Sequence, residues 1–305
     1  MTASRGDLGR IAGFALIAIV FAVIQPFVLV GLLLALLLLT YGPHYARSAI
    51  IVAVVLVVAF LGERSGLWWF ERGWSLVLAG MFVWIVGLRP GWSFTAQALT
   101  AVTMAAIAVS IVVLARPGIW FDLDTLMTAR ASQSAQTAAN LVGSGADETV
   151  QALVQRVVEF QVAVFPALLG VSSLGGLGVA VAVRSWLAGD TGKTFGRLRS
   201  FRFNDHLVWA WLLGLVLMLA PIGHVADRIG GNAVFFMGAL YVLRGMAVLL
   251  SMMGGIPVAA GVVGGIVALL IYPILALLLA VMLIVGLGDT WLNVRSRLSP
   301  LDSGK

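Results

Sequence analysis

The chain has 305 residues, 61% of them hydrophobic and 10% charged, with a mean hydropathy of +1.06. Soluble domains are about half apolar and about a quarter charged, and no soluble core would bury uncharged runs such as 11–40 and 256–288, so the chain reads as an integral membrane protein. The excess of 19 Lys+Arg over 13 Asp+Glu fits the cytoplasmic loops of a polytopic protein rather than a nucleic-acid surface, and the lack of cysteine excludes disulfides, Cys-ligated zinc, iron–sulfur clusters and thiol catalysis.

The first run, 11–40, follows Arg5 and Arg10 and is too long for a secretory signal, so it is read as a retained membrane segment. As one helix it would reach about 45 Å, against a hydrocarbon core of about 30 Å. Gln25-Pro26 near its middle predicts a break into two short helices. Further spans are expected at 46–61, 73–88, 93–115, 160–183, 206–219 and 232–252, and the last run, 256–288, is expected to break at Pro273. The fold class is therefore all-α, a polytopic transmembrane helical bundle of eight to ten membrane segments, treated as a single integral membrane domain over 1–305. Its parts are N-terminal helices (11–115), a polar stretch (116–159) and C-terminal helices (160–305) with a basic cytoplasmic loop at 184–205.

Fixing that loop, with Arg184, Lys193, Arg197, Arg199 and Arg202, in the cytoplasm places twelve basic residues inside and six outside, Arg72 and Arg130 among the latter. Both termini are then cytoplasmic, with Trp186, Trp209, Trp211 and Trp291 at the inner interface and Trp68, Trp69, Trp74 and Trp120 at the outer one. The polar stretch reads as an extracytoplasmic amphipathic helical hairpin, turning at Gly143-Ser144-Gly145, with Val150, Leu153, Val154 and Val157 on one face. It serves either as a lid over a cavity or as a structural hairpin on the membrane surface.

No constellation carries enzymatic chemistry. Gly286-Leu287-Gly288-Asp289 matches the string of intramembrane aspartyl proteases without a second intramembrane aspartate, and Asp289 reads as a structural interfacial acid beside Trp291 and Arg295. Gly192-Lys193-Thr194 lacks the first glycine of a phosphate loop, and Gly170-Val171-Ser172-Ser173 lacks the trailing glycine of a nucleophile elbow and reads as a small-residue helix contact. His44, His206 and His224 share no metal-ligand spacing, so neither metal nor cofactor is expected. Gly261 and Gly265 have a spacing that permits close helix packing.

Arg244 is the most informative residue, because a charge within a span costs several kcal/mol unless it finds a partner or water. It is an anion contact in a central cavity, half of a structural pair with Glu159, Asp227 or Asp289, or a side chain that snorkels to the membrane surface. Asn232 is a second candidate ligand contact, or a helix cap.

Three strings, Phe201-Arg202-Phe203-Asn204-Asp205-His206-Leu207-Val208-Trp209, Leu240-Tyr241-Val242-Leu243-Arg244-Gly245 and Gly288-Asp289-Thr290-Trp291-Leu292-Asn293-Val294-Arg295, together resemble the YybS-like family of predicted bacterial membrane proteins of unknown function. That family is distantly similar to the substrate-binding subunits of energy-coupling-factor vitamin transporters. The resemblance implies a bacterial cytoplasmic membrane, a small-molecule ligand, and docking on a coupling membrane protein with ATPases. It places the coupling surface at Phe201 and Arg202, and at Ala18 and Ala22 in the first segment. The expected function is a non-enzymatic, transport-type or ligand-binding membrane subunit. The alternative is a membrane scaffold that organises an envelope or cell-division complex.

Overall fold

Every regular element among the described residues is helical. The computed structural model describes residues 16–21, 28–41, 45–61, 66–116, 118–142, 148–187, 201–252 and 272–292, and the chain divides into two compact units, Met1–Thr191 and Gly192–Lys305. The division falls inside the basic loop 184–205.

The first unit contains α1 (16–21), α2 (Val28–Tyr41), α3 (Tyr45–Ala59), α4 (Gly66–Leu88), α5 (Phe94–Ala115), α6 (Gly118–Val142), α7 (Glu148–Ala163) and α8 (Phe165–Leu187). At its centre is α2, which is apolar on every side and buried from Val28 to Ala35, as expected of a helix enclosed by others. It packs against α3, α4 and α8. The turn between α4 and α5 closes on itself: the Ser93 Oγ accepts the Ala96 N–H at 3.3 Å, and the Gln97 Nε2 donates to the Arg89 carbonyl at 3.0 Å. A single residue, Val164, separates α7 from α8, and Pro166 in the first turn of α8 explains the break, since a proline there forfeits no intrahelical bond. The helix expected from residue 160 is thus two helices meeting at 164.

The second unit contains a 3-10 turn (Asp205–Leu207), α9 (Val208–Leu219), α10 (His224–Met252) and α11 (Tyr272–Leu292). The Asn204 side chain caps the turn by accepting the His206 N–H at 3.0 Å. Gly223, at φ +121°, lets the chain reverse between α9 and α10. The helix expected to begin at Asn232 begins two turns earlier, so Asn232 is not its cap; its Nδ2 donates to the Arg228 carbonyl within the helix. Pro273 lies in the first turn of α11, where its missing N–H costs no bond.

Among the described residues, five helices are long and apolar enough to cross a membrane: Leu67–Leu88, Phe94–Ala115, Phe165–Trp186, His224–Met252 and Leu275–Leu292. The apolar helices α2, α3 and α9 are shorter, at about 18–23 Å by their rise per residue. Large apolar side chains such as Ile107, Ile111, Leu114, Leu277 and Ile284 are exposed on these helices, the surface a lipid solvent requires. The polar stretch does fold as two helices in contact, α6 and α7. Gln25-Pro26, the turn at 143–145, Gly192 to Thr194, His44, Gly261, Gly265, Ala22 and Arg295 lie outside the described residues.

Candidate functional site

In the second unit, two glycines decide where Arg244 goes. A Cβ on Gly245 would stand 1.8 Å from the Met282 carbonyl oxygen, and one on Gly286 would stand 1.9 Å from that of Tyr241. Only hydrogen at these positions lets α10 and α11 cross backbone to backbone. A second crossing, of α9 on α10, depends on Gly214 and Gly230 in the same way. Arg244 and Asp289, each within a turn of the α10–α11 crossing, are thereby brought face to face.

Arg244 is 0% exposed. Its Nε donates to the Asp289 Oδ2 at 3.0 Å and its Nη1 to the Asp205 Oδ1 at 2.6 Å, while the guanidinium lies over the Phe203 ring at 5.4 Å. Arg202 bonds Asp205 from outside at 3.4 Å. Phe203 packs edge-on against Phe201 and Tyr241. Burial pushes the Asp205 carboxyl upward, but the hydrogen bond and charge of Arg244, joined by Arg202, outweigh it and hold the group below the ordinary carboxylate range.

The three strings noted in the sequence therefore converge in one network. Of the partners offered for Arg244, Asp289 is in place; Asp205, not weighed as a partner, is the second. Asp289 is 2% exposed, its carboxylate enclosed by protein beside the glycine crossing. Trp291, two residues on, is exposed. Asn232 lies on α10 with Arg244, but twelve residues and about 18 Å away along the axis, so the structure does not bring these two candidates together. Phe201 is half-buried in the aromatic cluster, Arg202 is exposed, and Ala18 is buried.

The first unit holds a feature that the sequence did not disclose. A cavity of about 620 Å³ opens among α2, α4, α6 and α8. Two of its walls are tied together by the Trp74 Nε1, which donates to the buried Ser173 Oγ at 2.8 Å. Ser172 turns its hydroxyl back to the Leu169 carbonyl. The near-miss nucleophile string is thus a helix contact. At the mouth, Arg130 of α6 is ion-paired with Glu71 of α4. Arg72 also lines the cavity and is 5% exposed; it lies within α4, because that helix starts at Gly66 and not at the expected residue 73. Its guanidinium lies 5.8 Å from the Trp68 ring, and among the described residues it makes no hydrogen bond or ion pair. The signal that could have found it is a charge within a turn or two of Trp68, Trp69 and Trp74, the pattern of an interfacial helix end.

Chemically, Arg244 is met by two bonded aspartates, whereas the cavity presents a cation to which no carboxylate is bonded among the described residues. No group of three or more metal-binding side chains occurs among the described residues. A family model described as "Predicted membrane protein (DUF2232)" matches residues 11–290, and the chain belongs to that family. No curated protein and no solved structure matches the chain.

Proposed function

We propose that this member of the DUF2232 family is a non-enzymatic membrane subunit of transport type, which binds a small molecule in its first unit. The cavity carries the reading. It is an open cleft of about 620 Å³, with Ser172, Gly175 and Val179 exposed along it, lined by apolar side chains and a few convergent polar groups, the size and chemistry of ligand pockets. The second unit then supplies a preset platform: the Arg244 network fixes the 201–207 segment, with Phe201 and Arg202 offered as the surface for a coupling membrane protein and its ATPases. In this reading the chain crosses a bacterial cytoplasmic membrane eight to ten times with both termini inside, and the α6–α7 hairpin lies on the outer side, next to the cavity mouth that Arg130 of α6 borders.

The test is purification of the full chain from native membranes in an uncharged detergent, with mass spectrometry of co-purifying proteins and small molecules. A retained metabolite, lost when Gly175→Leu fills the cavity, supports the reading. Envelope or division proteins recovered with no small molecule overturn it in favour of a scaffold. Reporters fused after Lys305 should give a cytoplasmic signal; a periplasmic one overturns the topology.

A further inference from the structure

We infer that the cavity of the first unit takes an amphiphile with a single anionic headgroup, a carboxylate or phosphate held by Arg72, and an apolar tail laid along α2 and α8. This rests on the ligand-binding reading above and names its ligand class.

The charges give the head. The titratable groups lining the cavity are Glu71, Arg72 and Arg130. Arg130 is taken up by Glu71, which leaves the lining with one net positive charge, on Arg72. A buried guanidinium with five N–H donors and no hydrogen-bonded acceptor is costly in a helix bundle, and an anion that accepts two of those donors removes the cost. Ser75 lines the cavity one turn from Arg72 and adds a hydroxyl donor.

The wall gives the tail. Phe70 meets Phe165 at 6.0 Å between ring centroids, and Trp74 meets Ser173, so α4 and α8 run parallel with Arg72 level with the first turns of α8. Val179 is then about 9 Å farther along than Ser173. Between them the lining is Leu29, Val30, Gly175 and Gly176, without a charge. Gly176 is filled by Leu29, whose Cδ2 would be 2.9 Å from a Cβ there, whereas a Cβ on Gly175 would meet nothing within 4 Å. Gly175 thus keeps the apolar end of the cavity open. Head and tail fall where a bilayer would put them: Arg72 in the second turn of α4, beside Trp68, Trp69 and Trp74 at the interfacial end of the span, and the tail toward its interior.

The full chain in maltoside micelles, titrated and read by native mass spectrometry, separates the possibilities with three probes: dodecyl phosphate, dodecanol and inorganic phosphate. Dodecyl phosphate should bind one to one, at least tenfold tighter than either of the others. Arg72→Gln should weaken it at least tenfold, Arg72→Lys should restore most of the loss, and Gly175→Leu should abolish it. Equal binding to wild type and Arg72→Gln overturns the headgroup assignment, while loss in Gly175→Leu alone would still uphold a ligand in the cavity. Binding unchanged in Gly175→Leu overturns the cavity as the site. Inorganic phosphate binding as tightly as dodecyl phosphate overturns the tail. Should Arg72→Gln fail to fold, the comparison of dodecyl phosphate with dodecanol on wild type and Gly175→Leu decides alone.

Discussion

Two arginines are buried among apolar helices, one in each unit, and their surroundings are opposite. Arg244 is enclosed by Asp289, Asp205 and the face of Phe203, at a helix crossing so tight that two glycines are required. Arg72 stands at an open cavity against a single ring, and the nearest carboxylate, Glu71, is bonded to Arg130. A buried charge that holds structure together is paired with carboxylates from several elements. Arg72 has no carboxylate bonded to it among the described residues and has room beside it. The difference supports a structural role for the second unit and, in the function proposed, the binding role for the first.

The largest effect is expected where the pairing is most enclosed. Asp289→Ala strips a buried carboxylate from Arg244 and should cost about 3–5 kcal/mol, read as the loss of thermal stability of the purified chain. An unchanged transition would remove the structural role on which the comparison stands. Gly286→Ala pushes a methyl group into the Tyr241 carbonyl and should cost about 3 kcal/mol by prising α10 from α11, whereas Gly175→Ala, facing open space, should be neutral or slightly stabilising. Equal losses would show that the first unit is packed as tightly as the second. Ser173→Ala leaves the Trp74 N–H buried and unpaired, for a loss of about 1 kcal/mol by the same measurement.

The smallest effect is on pH. Asp205 has a folded-state value below its ordinary one of about 3.9, so its contribution is fully present above that value and is lost as pH falls through the lowered one. Its side chain is 40% exposed, which keeps the contribution under about 1 kcal/mol. Acid unfolding curves should show Asp205→Asn already weakened at neutral pH and less sensitive than wild type below pH 4.

The helices and the membrane class were legible because apolar runs and the cost of a buried charge are local properties. Arg244 stood out for that reason, and Asp289 could be named among its partners. Asp205 could not, since it lies 39 residues away in what reads as a loop, and nothing local says that this loop folds back over α10. Gly245 and Gly286 escaped because they stand 41 residues apart on different helices; no spacing rule joins two lone glycines that meet in space. Asn232, read as a ligand contact or a helix cap, stands inside a continuous helix whose Gly230 serves the contact with Gly214, a pairing that no local pattern announces. Arg72 fell just outside a span expected to start at residue 73. Buried tryptophans on both sides of it, Trp68 and Trp74, keep the helix and its charge inside the fold.

The most direct measurement is the thermal unfolding of Arg72→Met and Arg244→Met, purified side by side in the same uncharged detergent without added ligand. Arg244→Met should unfold well below wild type, because it leaves two aspartates without their shared cation, and Arg72→Met should unfold at or above wild type, because it removes a buried charge that no carboxylate bonds. A fall in Arg72→Met as deep as that in Arg244→Met would contradict the account: both arginines would then be structural.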